Sequence, residues 1–411
     1  MKTAKIFIQC IVALLLLVSC GEDRTHEYYE LTKENQWIYN TMKDVYLWKN
    51  ELKQPERSKF FSTPSKFFTS LLKSSDKASF ITDTQSASSY GMTVSLMRDP
   101  IAEKPSQVYA LVLFVEPGSP ADIAGIERGT WISALNGTQL SISGESKFKQ
   151  GDRARLTTEY IEFDNEQNSY FWVAGNEMEI SASTPHVASS ICIDSIYTVR
   201  NKKVGYILCN NFNGDDFIEK TNRVAERFLT ENVTDIIVDL RYNTGGSISN
   251  TASFASMLVP AELTGTPFCT LKDYKEEIDT VYNYKEQAFN LGDKRIYFIT
   301  GKATKGTAEL LVASVDASRS MYDAFTIGEK SAGVNIVTEE KISPYGFTIA
   351  PATAIAYSSN GDILPSEGTP PDYLLNELEN KNNIHQLGEE QEYLLYNAFY
   401  LIANGTTPVM Q

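Results

Sequence analysis

The sequence predicts an α+β multidomain protein, with a helical N-terminal region, a β-rich middle region and a C-terminal α/β region. Between residues 34 and 75, apolar side chains recur at helical spacing. From about Tyr90 to Pro185 the chain consists of short β-rich runs separated by turn residues. From about Ile191 onward, apolar runs of strand length alternate with amphipathic segments, which is the pattern of a largely parallel sheet covered by helices.

The composition limits the classes of function. The chain has 411 residues, 42% of them hydrophobic, which is enough for two or three domains with their own cores. A net charge of −15 argues against nucleic-acid binding, because phosphate contacts need clustered lysine and arginine. The three histidines are scattered and neither CxxC nor HExxH occurs, so we expect no metal and no cofactor.

The N-terminus has the features of a secretory signal. Two lysines precede an apolar stretch, residues 6–18, that is too short to span a bilayer comfortably. LVSC, which ends at Cys20, resembles a bacterial lipobox and implies cleavage before Cys20 and lipid attachment to its thiol; the alternative is a cleaved signal with an incidental cysteine. We therefore expect residues 1–19 to be removed, residues 20–33 to form a polar tether, and the protein to be lipid-anchored at the cell envelope.

Cysteine usage argues against a disulfide framework. After Cys20 only Cys192, Cys209 and Cys269 remain, an odd and sparse set for a chain of this length. We expect them to be buried free thiols.

The N-terminal region, residues 34–78, is predicted to form a helical cap. In ENQWIYNTMKDVYLWKNEL, Trp37, Met42, Tyr46 and Leu47 recur at helical spacing and are expected to be core residues. PSKFFTSLLKS predicts a second, shorter helix.

The middle region, residues 79–185, has an ordered set of turn and strand signals. The strand VYALVLFV is followed by a short helix that opens at Pro120 and ends at Gly125. The strand TWISALNG then closes with Asn136-Gly137, a hairpin-turn pair. This order resembles a PDZ domain.

The resemblance implies recognition of a polypeptide C-terminus. PDZ domains add a peptide as a strand to a sheet edge and hold its carboxylate on backbone N–H groups of a glycine-containing loop. The corresponding residues are Tyr90, Gly91, Met92 and Thr93, which depart from the usual Gly-Leu-Gly-Phe pattern. A purely structural or gating role for this domain is the alternative.

Four further landmarks follow in one order in residues 186–411: DLRYNTGG, GTAELL, GEKSAG and PSEGTPPD. Together with the upstream domain they resemble peptidase family S41, the C-terminal processing or tail-specific proteases, in the manner of lipoprotein members from the Bacteroides group. The resemblance covers nearly the whole chain after the signal. It implies a ClpP/crotonase-like core and a serine-type endopeptidase that acts on polypeptide.

The resemblance also assigns site positions, and two of them lack the expected chemistry. The family nucleophile, a serine, falls on Gly306, and the family base, a lysine, falls on Val334. Glycine has no side chain to attack a carbonyl, and valine cannot accept a proton. Gly245, Gly246 and the N–H of Thr307 are the expected donors to an oxyanion.

Neighbouring residues are the candidates to replace the lost pair. Thr307 has a hydroxyl, but a shift of one residue at a helix start rotates a side chain by about 100° away from the attack line. Lys330 is the candidate base, although a solvated surface lysine is the simpler interpretation. Asp239, Glu309 and Asp372 are expected to hold backbone groups rather than to act as catalytic acids.

Three hypotheses about function follow. The first is a non-catalytic family member that binds polypeptide C-termini or a protein partner, anchored to a membrane through Cys20. The second is an active endopeptidase with Thr307 as a rearranged nucleophile. The third is a structural component of a surface lipoprotein assembly, in which neither binding region is used.

Overall fold

The structure is a computed structural model that describes residues 25–83, 88–185, 188–273, 275, 278–319 and 323–405. The predicted signal peptide and Cys20 lie outside these residues. Within these ranges no helix has both the length and the apolar character needed to cross a membrane. The α-helices of the described chain are α1 (Thr25–Val45), α2 (Pro64–Leu71), α3 (Pro120–Ile123), α4 (Phe217–Thr230), α5 (Ile248–Leu258), α6 (Thr307–Ala317) and α7 (Tyr393–Asn404).

The strands fall into two sets along the chain. The N-terminal and middle regions contain β1 (Phe80–Asp83), β2 (Ser88–Ser89), β3 (Met92–Arg98), β4 (Val108–Val115), β5 (Trp131–Leu135), β6 (Thr138–Gln139), β7 (Ala154–Asp164), β8 (Ser169–Ile180) and β9 (Thr184–Pro185). The C-terminal region contains β10 (Ile191–Val199), β11 (Lys202–Cys209), β12 (Asp235–Asp239), β13 (Pro267–Lys272), β14 (Ile278–Asn283), β15 (Arg295–Thr300), β16 (Ala324–Gly328), β17 (Ile336–Thr338), β18 (Lys341–Ile342), β19 (Phe347–Ala350), β20 (Ala352–Tyr357) and β21 (Tyr373–Leu374).

The N-terminal helices share a core with the C-terminal region. β1 pairs antiparallel with β19, and Phe67, Phe68 and Met42 are buried in one cluster with Phe347 and Ile349. α1 begins at Thr25, so the predicted tether, residues 20–33, is wrong from Thr25 onward. The ring of Tyr28 meets the edge of the Phe61 ring at 5.6 Å, and this contact explains why the helix extends so far back.

The middle region is a mainly antiparallel sheet in the order β3-β4-β5-β7-β8, with β6 paired to β5. Ala110, Val112, Ile132 and Leu156 form its core. The predicted turns are present, since Asn136 and Gly137 both have positive φ, as a type I′ hairpin turn requires.

The C-terminal region is built on the sheet β10-β11-β12-β15-β16-β21, in which every neighbouring pair except β10–β11 is parallel. Helices α4, α5 and α6 cover one face, and α7 covers the other. That second face also packs against Tyr109, Leu111 and Trp131 of the middle region. The predicted α+β multidomain architecture with a largely parallel C-terminal sheet is confirmed.

A long bent hairpin lies beside this sheet. β17 pairs with β20, and after a two-residue connection β18 pairs with β19. The two partner strands are consecutive, since β19 continues into β20 across Pro351. The carbonyl of Pro351 accepts a hydrogen bond from the N–H of Glu339 at 3.1 Å. The run from Ile336 to Ile342 therefore lies at the edge of two sheets, with β17 as the edge strand of one and β18 as the edge strand of the other.

Candidate functional site

The loops that follow β12, β15 and β16 meet in one cleft of about 510 Å³. Because these strands are parallel, their carboxyl ends lie at the same edge of the sheet, where α/β folds place their ligand sites. The bent hairpin and the segment before β1 close the other sides. The cleft is lined by Lys77, Ala78, Phe80, Asn213, Thr244, Gly245, Gly246, Lys305, Gly306, Thr307, Leu310, Val334, Asn335, Ile336, Val337, Thr338, Glu340 and Ala356.

Gly306 is the residue before α6 and has φ +62° and ψ −123°, a conformation that L side chains rarely adopt. A Cβ built on Gly306 would meet only the carbonyl oxygen of Thr244, at 4.0 Å. The position therefore has room for a side chain at the edge of the cleft, and only the backbone conformation disfavours one. Backbone conformations that L residues adopt only with strain cluster at active sites.

Val334 lines the same cleft with an apolar side chain, and its backbone is fixed. Its N–H donates to Glu309 Oε2 at 2.7 Å. Gly306 and Val334 are thus brought together by the fold, as the sequence predicted, and neither supplies a group that can act as nucleophile or base.

Glu309 joins the two turns that carry these residues. Its buried carboxylate accepts hydrogen bonds from the N–H of Gly306 at 3.1 Å, the N–H of Gly333 at 2.7 Å and the hydroxyl of Ser331 at 2.6 Å, in addition to that from Val334. The expectation that Glu309 holds backbone groups is confirmed. Asp372 has the same kind of role, since Oδ2 accepts from the N–H and the hydroxyl of Thr326 at 2.8 and 2.9 Å.

The loop after β12 is held by Asn243. Its amide donates to the carbonyl of Cys209 at 3.0 Å, and its Oδ1 accepts from the N–H of Gly245 at 2.8 Å. Gly245 is therefore not a free donor to the cleft, which corrects the prediction for this residue. At Gly246, a Cβ would come within 2.9 Å of the N of Phe212, so the close approach of two backbones requires glycine there.

Two of the three predicted oxyanion donors remain. Among the described residues, none accepts a hydrogen bond from the N–H of Gly246 or of Thr307, and both residues line the cleft. The two loops are in close contact, because a Cβ on Gly245 would lie 3.2 Å from the N of Thr307. Backbone donors at a helix start are suited to negative charge.

Of the two residues predicted to replace the nucleophile and the base, Thr307 and Lys330, only Thr307 lines the cleft. The Thr307 hydroxyl donates to the carbonyl of Gly246 at 3.4 Å and is 9% exposed. Lys330 is solvent-exposed and does not line the cleft, so the prediction that it could replace the base is not supported by its position. Lys305 and Lys77, both exposed, are the lysines that line the cleft.

The backbone of the predicted peptide-binding residues in the middle region is used within that region. The N–H of Tyr90 donates to the carbonyl of Lys149 at 3.0 Å, and the N–H of Gly91 donates to the hydroxyl of Ser89 at 2.9 Å. Tyr90, Gly91 and Met92 are buried, and only Thr93 is exposed. The N–H groups of Tyr90 and Gly91 are therefore not free to hold a peptide carboxylate.

A buried charge network fixes the loop after β12 to the rest of the molecule. Arg241 donates to Asp239 at 2.8 Å and to Glu392 at 2.7 Å, and Arg128 of the middle region pairs with Glu377 at 2.8 Å and with Glu392 at 3.2 Å. Burial by itself raises the pKa of Glu392, but the guanidinium groups of Arg241 and Arg128 outweigh it and lower the pKa to about 2.

Sequence reasoning missed the outer wall of the cleft. Lys77 stands just before β1, Phe80 is the first residue of β1, and Ile336 to Thr338 stand in the bent hairpin. Lys77 and Phe80 are distant in the chain from the four landmarks, whereas Ile336 to Thr338 follow GEKSAG within a few residues; no site motif marks either segment.

Comparison with known proteins agrees with this architecture. A family model described as Peptidase family S41 matches residues 203–375, and one described as Peptidase S41 N-terminal domain matches residues 33–80; together they cover more than half of the chain. A crystal structure of a Bacteroides fragilis protein assigned as an S41 protease is 25% identical, with a TM-score of 0.76, and the match covers 90% of this chain and 97% of that one.

Two further relatives are more distant. A carboxyl-terminal-processing protease of Picosynechococcus sp. is 22% identical over 236 residues, 55% of this chain, and the match spans about half (51%) of that relative. The structure of a photosystem II D1 C-terminal processing protease is 14% identical with a TM-score of 0.53, covering 84% of this chain and 93% of that one; it shares the fold.

Proposed function

The chain belongs to peptidase family S41, and we propose that it is a non-catalytic member that binds polypeptide in the cleft. The observation that carries the proposal is the pair Gly306 and Val334, which stand in a cleft that still presents the N–H groups of Gly246 and Thr307. Amide hydrolysis needs a nucleophile and a base that takes its proton. Backbone donors alone leave only a small residual acceleration, roughly 10³ to 10⁴ over water in a protease stripped of its nucleophile.

The charges of the cleft support a polypeptide C-terminus as the ligand. Among the described residues, no carboxylate lies within 4 Å of the ammonium group of Lys77 or Lys305. The N–H groups of Gly246 and Thr307 line the same cleft. A terminal carboxylate would pair with these groups without displacing any internal hydrogen bond.

A second candidate function is an endopeptidase that uses Thr307, and its support is the position of that hydroxyl in the cleft. Against it, among the described residues the Thr307 hydroxyl has no amine or imidazole partner that could take its proton. The two candidates are separated by hydrolysis assays on the native protein and on Thr307→Ala.

Binding of a C-terminal peptide tests the proposal directly. A fluorescein-labelled peptide with a free carboxylate is titrated with the protein, and with Lys305→Glu and Lys330→Glu as matched variants. We expect Lys305→Glu, and amidation of the peptide, each to weaken binding about tenfold, because both remove the charge pair in the cleft. Lys330→Glu changes an exposed lysine outside the cleft and should leave the affinity unchanged. Equal effects of the two variants would contradict the proposal.

We also propose that the protein is attached to a membrane of the cell envelope through Cys20. The support is the sequence LVSC at residues 17–20. Cys20→Ser should move the protein from the membrane fraction to the soluble fraction after cell lysis. Retention of this variant in the membrane fraction would contradict lipid attachment at Cys20.

A further inference from the structure

The run from Ile336 to Ile342 has an unpaired backbone edge along its whole length. β17 is the last strand of the sheet β14-β13-β20-β17, and β18 is the last strand of β1-β19-β18. Three backbone hydrogen bonds show which groups face the paired side: Asn335 accepts from Ala356 at 2.9 Å, Glu339 donates to Pro351 at 3.1 Å, and Ser343 donates to Phe347 at 2.8 Å.

The residues between these positions therefore face the other way. Because the backbone groups of alternate residues in a strand point to opposite edges, those of Ile336, Thr338, Glu340 and Ile342 point outward. Within the described part of the chain, no residue hydrogen-bonds to the backbone of these four. Such an edge is a template for pairing with another strand.

Two concave surfaces meet along this edge. Ile336 and Thr338 line the cleft, and Ile342 lines a second, open groove of about 890 Å³ between α1 and β18. Glu340 lines both. The other groove residues used below are Trp37, Lys43, Asp44 and Lys341.

We infer that a polypeptide whose end lies in the cleft continues as an added strand along residues 336–342 and into this groove. This inference rests on the proposed function, which places the polypeptide end in the cleft. A seven-residue edge is roughly 23 Å long at about 3.3 Å per residue, so the bound segment spans at least seven residues. Main-chain hydrogen bonds to the edge would supply affinity that is independent of sequence.

The charges of the groove define the upstream segment as basic. The groove is lined by the carboxylates of Asp44 and Glu340 and by the ammonium groups of Lys43 and Lys341, of which Lys341 is already neutralised by Glu339. Lys341 pairs with Glu339 at 2.5 Å, and among the described residues no basic side chain lies within 4 Å of the carboxylate of Asp44 or Glu340. Lys49 Nζ donates to the backbone carbonyl of Asp44 at 2.8 Å. The net charge of −15 adds a long-range attraction for cationic segments. The side chain of Ile342 is 76% exposed and offers an apolar contact beside these charges.

The length and backbone of the ligand test this inference. The probes are a hexapeptide of alternating valine and serine that ends in a free carboxylate, and a 14-residue peptide with the same six residues preceded by eight that include three lysines. A third probe is the long peptide with alternate upstream amides N-methylated, which removes N–H donors needed for strand pairing. Fluorescence anisotropy with the full protein gives the three affinities.

We expect the long basic peptide to bind about tenfold more tightly than the hexapeptide, and N-methylation to abolish that gain. Asp44→Lys should weaken the long basic peptide about fivefold and leave the hexapeptide unchanged, because Asp44 lines the groove but not the cleft. Asp44 is exposed in the last turn of α1, where lysine is favoured by the helix dipole, so this variant should fold. Glu226→Lys, an exposed change on α4, is the matched control and should affect neither peptide.

The outcomes separate the two proposals. If the hexapeptide binds and the long peptide binds no more tightly, the added strand is refuted while the proposed function stands. Equal affinity of the N-methylated and unmodified long peptides also refutes strand pairing. If neither peptide binds, the proposed function is refuted, and this inference with it.

Discussion

At the residue scale, the backbone conformation at Gly306 links the absence of a side chain at this position to the stability of the fold. An L residue at φ +62° and ψ −123° is strained, and glycine is not. A serine here would therefore supply a nucleophile at a cost in stability. Glycine avoids this cost and also lacks the hydroxyl, as expected under the proposed non-catalytic function.

The first prediction concerns this strain. Gly306→Ser should lower the free energy of unfolding by about 1–2 kcal/mol, although a Cβ at this position has open space, because the penalty comes from the backbone. Urea unfolding measures it. Ala303→Ser adds the same hydroxyl in the same loop at a residue outside the left-handed region and should change stability by less than about 0.5 kcal/mol. Equal values for the two variants would show that φ at residue 306 carries no strain.

The second prediction concerns Glu309. Glu309→Gln should destabilise the protein by about 2–4 kcal/mol, because its amide NH₂ would face donors that now bind a carboxylate oxygen. Denaturant unfolding measures the loss, with the exposed Glu226→Gln as a control of unchanged stability. A small effect at Glu309 would mean that the two turns keep their geometry without its carboxylate.

At the scale of elements, the middle region is attached to the C-terminal sheet by more than apolar contact. Arg128 reaches across the boundary to Glu377 and Glu392, whose other partner is Arg241 in the loop after β12. The Tyr242 hydroxyl also accepts from Arg128, at 2.8 Å. The loop that forms the floor of the cleft is thus fixed in place by the junction between two regions.

The third prediction follows from this junction. Arg128→Met leaves two buried carboxylates with one guanidinium fewer, so stability should fall by about 3–5 kcal/mol. Calorimetry should show a separate, earlier transition for the middle region. The control Arg155→Met removes an exposed pair with Glu177 and should change stability by less than about 1 kcal/mol. A single unshifted transition for Arg128→Met would contradict the role of the network.

Most elements of the fold could be predicted from local patterns, while their contacts could not. Pro120 predicted the start of α3, and the pair Asn136-Gly137 predicted the turn after β5. The start of α1 was placed nine residues too late, because Thr25–Lys33 is polar and is held by packing on distant aromatic side chains. The pairing of β1 with β19 joins residues about 270 apart, and no local signal encodes it.

At the scale of the whole molecule, the buried network should make stability depend on acidic pH. The pKa of Glu392 lies near 2 in the folded protein, below its ordinary value of 4.5. Its ion pairs therefore contribute fully above about pH 5, and the contribution, on the order of 3 kcal/mol, is lost as the pH falls from 4.5 towards 2.

The fourth prediction compares Glu392→Gln with the native protein in urea unfolding between pH 7 and pH 3. The variant should be less stable at pH 7, and its stability should fall less steeply on acidification, because it lacks the carboxylate that must be protonated. Parallel pH curves for the two proteins would assign the acid sensitivity to other groups.

The sequence likewise predicted which residues form the site but not the contacts that these residues make. The landmarks identified Gly306, Val334, Gly246 and Thr307, and the structure places all four in one cleft. The sequence could not show that Asn243 occupies the N–H of Gly245, or that Lys330 lies outside the cleft. Hydrogen-bond partners across loops depend on distances that spacing along the chain does not fix.

We propose that the cleft binds polypeptide but has neither a nucleophile nor a base for its hydrolysis. The most direct test is hydrolysis of casein and of a fluorogenic peptide by the native protein, beside Thr307→Ala and the double variant Gly306→Ser/Val334→Lys. We predict no hydrolysis by the native protein or by Thr307→Ala, and measurable hydrolysis by the double variant. Hydrolysis by the native protein that Thr307→Ala abolishes would contradict the claim and identify a peptidase with a threonine nucleophile.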